Sequence, residues 1–242
     1  DVAACTARGI VVSRTAGEKA TAATAELALG LLLAAARCIP AADASMRNGR
    51  FQQCVPAGIV LEGRTLGVIG LGKIGSRVAR SGAALGMQVL AWSQNMTPEA
   101  AQAAGARLVS KDELLVQADA VSLHVVLSER TRGLVGAREL ALMKPGAILV
   151  NTSRGPLVDE AALIDAVRTG RVVAALDVFD REPLPADHPL RSLPGTVLTP
   201  HQGYGVREVY AQFYGESIEN IAAFLDGRPA RLLNPEVLEA RA

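Results

Sequence analysis

From residue 65 onward, short unbroken apolar runs alternate with stretches whose apolar residues recur every three or four positions. The runs at 65–70, 87–92, 106–109, 120–125, 147–151, 172–177 and 197–199 predict strands. They are continuous rather than alternating, as strands covered on both faces require. Helices are predicted between them, at 73–85, 98–104, after Ser110, at 137–143 and at 159–169. Thr97 is a natural N-cap with Pro98 in the first helical position. Ser110-Lys-Asp-Glu113 spells a capping box. Strand and helix alternate over roughly 140 residues, which predicts an α/β fold: a doubly wound parallel sheet of the Rossmann type.

The flanks differ. Residues 1–4 read as the middle of a helix and residues 9–13 as a short strand. Residues 18–37 predict a long Ala- and Leu-rich helix, apolar nearly all round, buried or at a subunit interface. Pro40 ends it, and a shorter helix runs to about residue 50. Residues 51–62 are irregular, broken by Pro56 and Gly58. A last long helix spans 204–226 and stops at Gly227 and Pro229.

Composition narrows the function. Half of the 242 residues are hydrophobic but only 3% are aromatic, so Ala, Val, Leu and Gly fill the core. The net charge is +1 with both signs interspersed, which argues against a nucleic-acid or membrane surface. The apolar run 27–36, bracketed by Glu26 and Arg37, is too short to span a bilayer. Cys5, Cys38 and Cys54 are odd in number and irregularly spaced, so three reduced, mostly buried thiols in a cytoplasmic protein are expected. There is no metal-ligand cluster.

Gly70-Leu-Gly72-Lys-Ile-Gly75 follows a predicted strand and opens a predicted helix. In that setting the first glycine permits the tight turn, the second lets a pyrophosphate approach, and the third lets helix and strand pack closely. Free N–H groups at the helix start, at Lys73 and Ile74, would face the phosphates. A dinucleotide fold usually ends its second strand with a carboxylate for the adenosine ribose. Here Ser93 and Gln94 stand there, without an acid and without a neighbouring arginine. NAD loses a usual partner and a 2′-phosphate is not repelled, so the cofactor is NAD or NADP, with a lean toward tolerating NADP.

Downstream stand Asn151-Thr-Ser-Arg154-Gly155, Glu182-Pro183 and Pro200-His201. One Arg, one Glu and one His behind a glycine turn are a toolkit for moving a hydride to or from a small carboxylic acid. Arg154 has the guanidinium fork to anchor the carboxylate and keeps its charge. His201 is suited to general acid/base work near neutral pH. Glu182 can orient that ring and stabilise the imidazolium.

Five stretches together carry a family resemblance: Gly70–Gly75, Leu123-His-Val-Val-Leu-Ser128, Met143-Lys-Pro-Gly146 with Val150–Gly155, Ala175-Leu-Asp-Val-Phe179 with Glu182-Pro183, and Leu198-Thr-Pro-His-Gln-Gly203. In order and spacing the chain resembles the D-isomer-specific 2-hydroxyacid dehydrogenases. The resemblance implies that Arg154, Glu182 and His201 are catalytic. It implies cofactor contacts at Val125, Val126, Thr131, Thr152, Ser153, Arg154, Asp177, His201 and Gly203, with Asp177 holding the nicotinamide carboxamide. Val126 departs from the proline usual there. His124 is expected to be non-catalytic and His188 to lie at the surface. The implied partner is a small 2-keto or 2-hydroxy acid, and the implied assembly is a homodimer through the 18–37 helix and the arm after it.

Family members begin with a second, flavodoxin-like substrate lobe. Only a remnant of it is expected here, so residues 1–14 would end that lobe, 15–203 would form the dinucleotide domain, and 204–242 would return to the lobe. Since the chain starts at Asp1, it is expected to come from inside a larger protein and to turn over poorly alone. Competing readings are a dinucleotide-sensing protein akin to transcriptional corepressors, a phosphite-type dehydrogenase, and an inactive gene product.

Overall fold

The structure is a computed structural model and describes residues 1–239. They fall into two compact units, residues 1–21 with 204 onward, and residues 22–203.

The larger unit contains seven strands: β1 (Thr65–Ile69), β2 (Gln88–Trp92), β3 (Arg107–Leu108), β4 (Ala120–Leu123), β5 (Ala147–Asn151), β6 (Val172–Leu176) and β7 (Thr196–Leu198). All pair in parallel, in the order β3-β2-β1-β4-β5-β6-β7. The chain winds outward from β1 to β3, then returns to lay β4 on the other side of β1. That reversal opens a crevice at the carboxyl ends of β1 and β4, where open α/β sheets bind ligands.

Side chains alternate between the two faces with period two. Leu66, Val68, Val89, Ala91, Ile148, Val150 and Ala175 pack with Ala28, Leu31 and Leu32 of α2 (Glu18–Ala36) and with Val78 and Ala79 of α4 (Lys73–Ala84). Ile69, Leu90, Val121, Leu123, Leu149, Ala174 and Leu176 face the other way. They pack with Leu114 and Leu115 of α6 (Lys111–Gln117), Leu140 of α7 (Ala137–Leu142) and Leu163 of α8 (Glu160–Arg168). Two-sided burial is why the strands read as unbroken apolar runs. By length and hydropathy α2 could cross a membrane, but its buried alanines and leucines are spent on this core.

Several local expectations need correction. The 18–37 helix ends at Ala36, and Pro40 sits in the first turn of α3 (Ile39–Arg47) rather than acting only as a stop. Its missing N–H costs nothing there. Thr97 caps α5 (Pro98–Ala103) by accepting from Ala100 N–H. The capping box at Ser110 is half formed: its hydroxyl accepts from Glu113 N–H, while the Glu113 carboxylate is drawn to Arg107 and Gln117. None of the three cysteines is fully buried, and Cys54 is exposed.

In the smaller unit, the Asp1 side chain accepts from Ala4 N–H at the first turn of α1 (Val2–Ala7). Residues 9–13 are not a strand; only Ser13 makes an isolated bridge, to Leu232. Fully buried Asn234 bonds Val12 N–H and Ile10 C=O through its amide, while Val12 C=O accepts from Leu233 N–H. The long helix α9 runs Arg207–Leu225 and starts later than read, because Val206 is extended. It leaves Ile218, Ile221 and Phe224 exposed. A short α10 (Glu236–Glu239), not foreseen, follows.

Candidate active site

Because every strand is parallel, the loops after β1, β2, β4, β5, β6 and β7 all emerge at one edge of the sheet. The glycine turn is built by close approach. Gly70 has φ +94, a conformation L side chains rarely adopt, and its N–H donates to Trp92 C=O. A Cβ on Gly75 would lie 1.9 Å from Gly70 O, so only glycine lets α4 start this near β1. At Gly72 a Cβ would meet nothing within 4 Å, leaving open space over the first turn of α4, where Lys73 and Ile74 lie. A bare backbone over a helix N-terminus fits a pyrophosphate.

A cleft of about 660 Å³ lies beside this turn. Gly70, Gly72, Ser93, Gln94, Val125, Val126 and Thr131 all line it, as does Trp92. Val126 is the most exposed of the large apolar residues here. Thr131 does not simply point into the cleft: its hydroxyl donates to Val126 C=O and accepts from Ser128 N–H, tying the loop. The sequence showed no arginine near Ser93; the fold brings Arg130 to the same cleft from the loop after β4.

Lys73, Ile74 and Gly75 lie beside that cleft in the first turn of α4 without lining it, and the remaining predicted residues stand after β5, β6 and β7. The β5 loop is stapled by buried Asn151, whose amide donates to Arg154 C=O and accepts from Ser153 N–H. Ser153 Oγ donates to Leu123 C=O, and the Thr152 hydroxyl is buried without a partner. A Cβ on Gly155 would strike the Phe179 backbone at 2.1 Å, so this loop sits directly on the segment leading to Glu182. Arg154 is exposed, with Nη1 donating to Ser153 C=O at 2.6 Å.

Glu182 and His201 meet. His201 Nδ1 lies 2.5 Å from Glu182 Oε2, and Glu182 Oε1 accepts from Phe179 N–H. Partial burial disfavours the Glu182 carboxylate. The His201 and Phe179 hydrogen bonds and the charges of His201 and Arg154 outweigh it and hold the carboxyl below its ordinary value. Arg154 is therefore within electrostatic reach of the pair. His201 has φ +54, uncommon outside glycine, and its N–H donates to Asp177 C=O. The fully buried Asp177 carboxylate fixes that loop, accepting from Thr199 Oγ1, Gln202 N–H and Gly203 N–H. Expected to hold a carboxamide, Asp177 is first a buckle for the His201 loop. A carboxylate has about four acceptor positions, so one remains for a further donor.

The remaining histidines differ from each other. His188 is not a surface residue: Nδ1 accepts from Leu190 N–H, so Nε2 carries the proton toward Glu160 at 3.2 Å, and the side chain is mostly buried. His124 Nε2 lies 2.8 Å from the Ser122 hydroxyl, while Nδ1 is sealed from solvent without a partner. Burial lowers its pKa from 6.5 to about 4. The unfolded chain thus takes up a proton first on acidification. Stability present above about pH 6.5 is lost as the pH falls to about 4. At 1.36 kcal/mol per unit this group accounts for about 3 kcal/mol. Denaturant unfolding of wild type and His124→Gln should show this loss in wild type and its absence in the variant. Parallel pH profiles would refute it.

A glycine cradle and open cleft, followed by Arg154 beside a Glu182–His201 pair, define an NAD(P)-linked oxidoreductase acting on hydroxy acids. Comparison with known proteins makes the class specific. The profile of the D-isomer specific 2-hydroxyacid dehydrogenase NAD binding domain matches residues 29–203, and the chain belongs to that family. It is 42% identical to the glyoxylate reductase of Aeropyrum pernix, covering 100% of this chain and 74% of that protein. It is 43% identical to the D-3-phosphoglycerate dehydrogenase of Archaeoglobus fulgidus, over 96% of this chain but only 44% of that protein. A crystal structure of phosphoglycerate oxidoreductase from Vibrio cholerae O395 superposes with a TM-score of 0.86 at 37% identity, covering 94% of this chain and 73% of that one.

Proposed function

We propose that the protein carrying this sequence reduces a small 2-keto acid to the D-2-hydroxy acid, or runs the reverse, with NAD(P). The observation that carries the reading is the 2.5 Å Glu182–His201 contact, with Arg154 in electrostatic reach. When bound, the nicotinamide supplies or accepts the hydride. Arg154 forks onto the substrate carboxylate and keto oxygen and stabilises charge growing on that oxygen. With Nδ1 held by Glu182, His201 exchanges the moving proton through Nε2. Glu182, held below its ordinary carboxyl value and so ionised, fixes the orientation of the ring.

Both dinucleotides fit this reading, and NADP is accepted because no acid closes the adenosine end. A homodimer through α2 and the arm after it is supported by exposed Ile39, Met46, Phe51 and Val60; the mass of a single chain in light scattering would contradict it. Cytoplasmic residence is supported by three unpaired thiols, and secretion in a fractionation experiment would overturn it. Trp92 lines the cleft, so titration with NADH and with NADPH should change its fluorescence saturably. A folded protein with no response to either would sink the cofactor assignment.

A further inference from the structure

The adenosine end of the cleft has an unusual charge balance. Ser93, Gln94, Asn95 and Thr97 reach it from the segment after β2, and no Asp or Glu is among its lining residues. Arg130 lines the same cleft from the loop after β4 and is the one permanently charged side chain in that lining. Its neighbours in the chain do not line the cleft: neither Glu129 nor Arg132 is among its lining residues.

Arg130 is exposed and forms no ion pair among the described residues. Its backbone is nevertheless fixed. Thr131 N–H and Arg132 N–H both donate to Ser128 C=O, and the Thr131 hydroxyl locks the turn to Val126. A guanidinium on a braced turn, in a cleft lined by hydroxyls and amides with its adjoining carboxylate, Glu99, bonded by Thr97, suits a dianionic phosphate monoester. It offers nothing comparable to a plain ribose hydroxyl pair, which a carboxylate would hold.

We infer that Arg130 is a specificity-determining residue that receives the 2′-phosphate of NADP, with Ser93 and Gln94 supplying neutral donors. The inference rests on the reading of this cleft as the dinucleotide site and names the side chain that selects the phosphorylated form. It was hidden from the sequence because the selecting cation comes from a different strand than the residues it works beside.

The test is equilibrium calorimetry with two adenosine probes, 2′,5′-ADP and 5′-AMP, on wild type, Arg130→Ala and Arg130→Lys. Wild type should prefer 2′,5′-ADP, increasingly so at low salt. Arg130→Ala should weaken 2′,5′-ADP by roughly tenfold to a hundredfold and leave 5′-AMP unchanged, with Arg130→Lys between. Equal wild-type affinity for both probes would overturn the inference while the cleft stands as a nucleotide site. So would a 2′-phosphate preference that survives Arg130→Ala, or an equal loss of both probes. Failure of folded wild type to bind either probe would remove the dinucleotide reading itself.

Discussion

Replacing His201 with Asn should lower kcat by roughly 10²- to 10⁴-fold, the range that a positioned general acid contributes, while dinucleotide affinity holds. Asparagine is the informative substitution. Position 201 has φ +54, which most side chains tolerate poorly and asparagine tolerates well. The backbone bonds to Asp177 C=O and the loop bonds to its carboxylate do not involve the imidazole. The variant therefore keeps the loop and loses only the ring. Glu182 keeps its bond from Phe179 N–H but loses the His201 bond, so its carboxyl should relax upward toward its ordinary value. Unchanged kcat in a cofactor-binding variant would show that His201 moves no proton. Equal loss of cofactor binding and turnover would make it a structural residue.

Arg154→Ala should lower kcat/KM for the keto acid by roughly 30- to 5000-fold, from the 2–5 kcal/mol cost of stripping one partner from a desolvated charged pair. Arg154→Lys should recover part of this, since lysine keeps the charge but not the fork. Fold and cofactor binding should survive. The side chain is exposed, and its one hydrogen bond among the described residues, to Ser153 C=O, is to its own neighbour. The loop is held by Asn151 instead. A steady-state comparison in which Arg154→Ala matches wild type would remove the anchor from the account.

The parallel sheet was legible because two-sided burial writes itself as unbroken apolar runs, from Leu66–Ile69 through Val172–Leu176. Thr97 and Pro98 marked a helix start that formed as read. The Gly70–Gly75 turn was legible since its glycines answer to backbone contacts at fixed spacing. Glu182 and His201 were foreseen as partners from chemistry, but nothing local predicts that Asp177 buckles the loop between Thr199 and Gly203. What escaped depended on distant side chains. Asn234 reaches back from the far end of the chain to bond Val12 N–H and Ile10 C=O where a strand was expected. Glu160 draws His188 inward. Arg130 joins Ser93 only because β4 returns beside β1.

The most direct test of the central claim is single-turnover oxidation of 4-deuterated reduced dinucleotide, NADH and NADPH in turn, by a panel of 2-keto acids including glyoxylate and hydroxypyruvate. With both C4 hydrogens replaced by deuterium and the assay run on the whole protein that carries this sequence, deuterium should move to C2 of at least one acid, and a product with a stereocentre there should be the D-isomer. A protein that binds the dinucleotide but transfers no deuterium to any of them, or that yields the L-isomer, would contradict it.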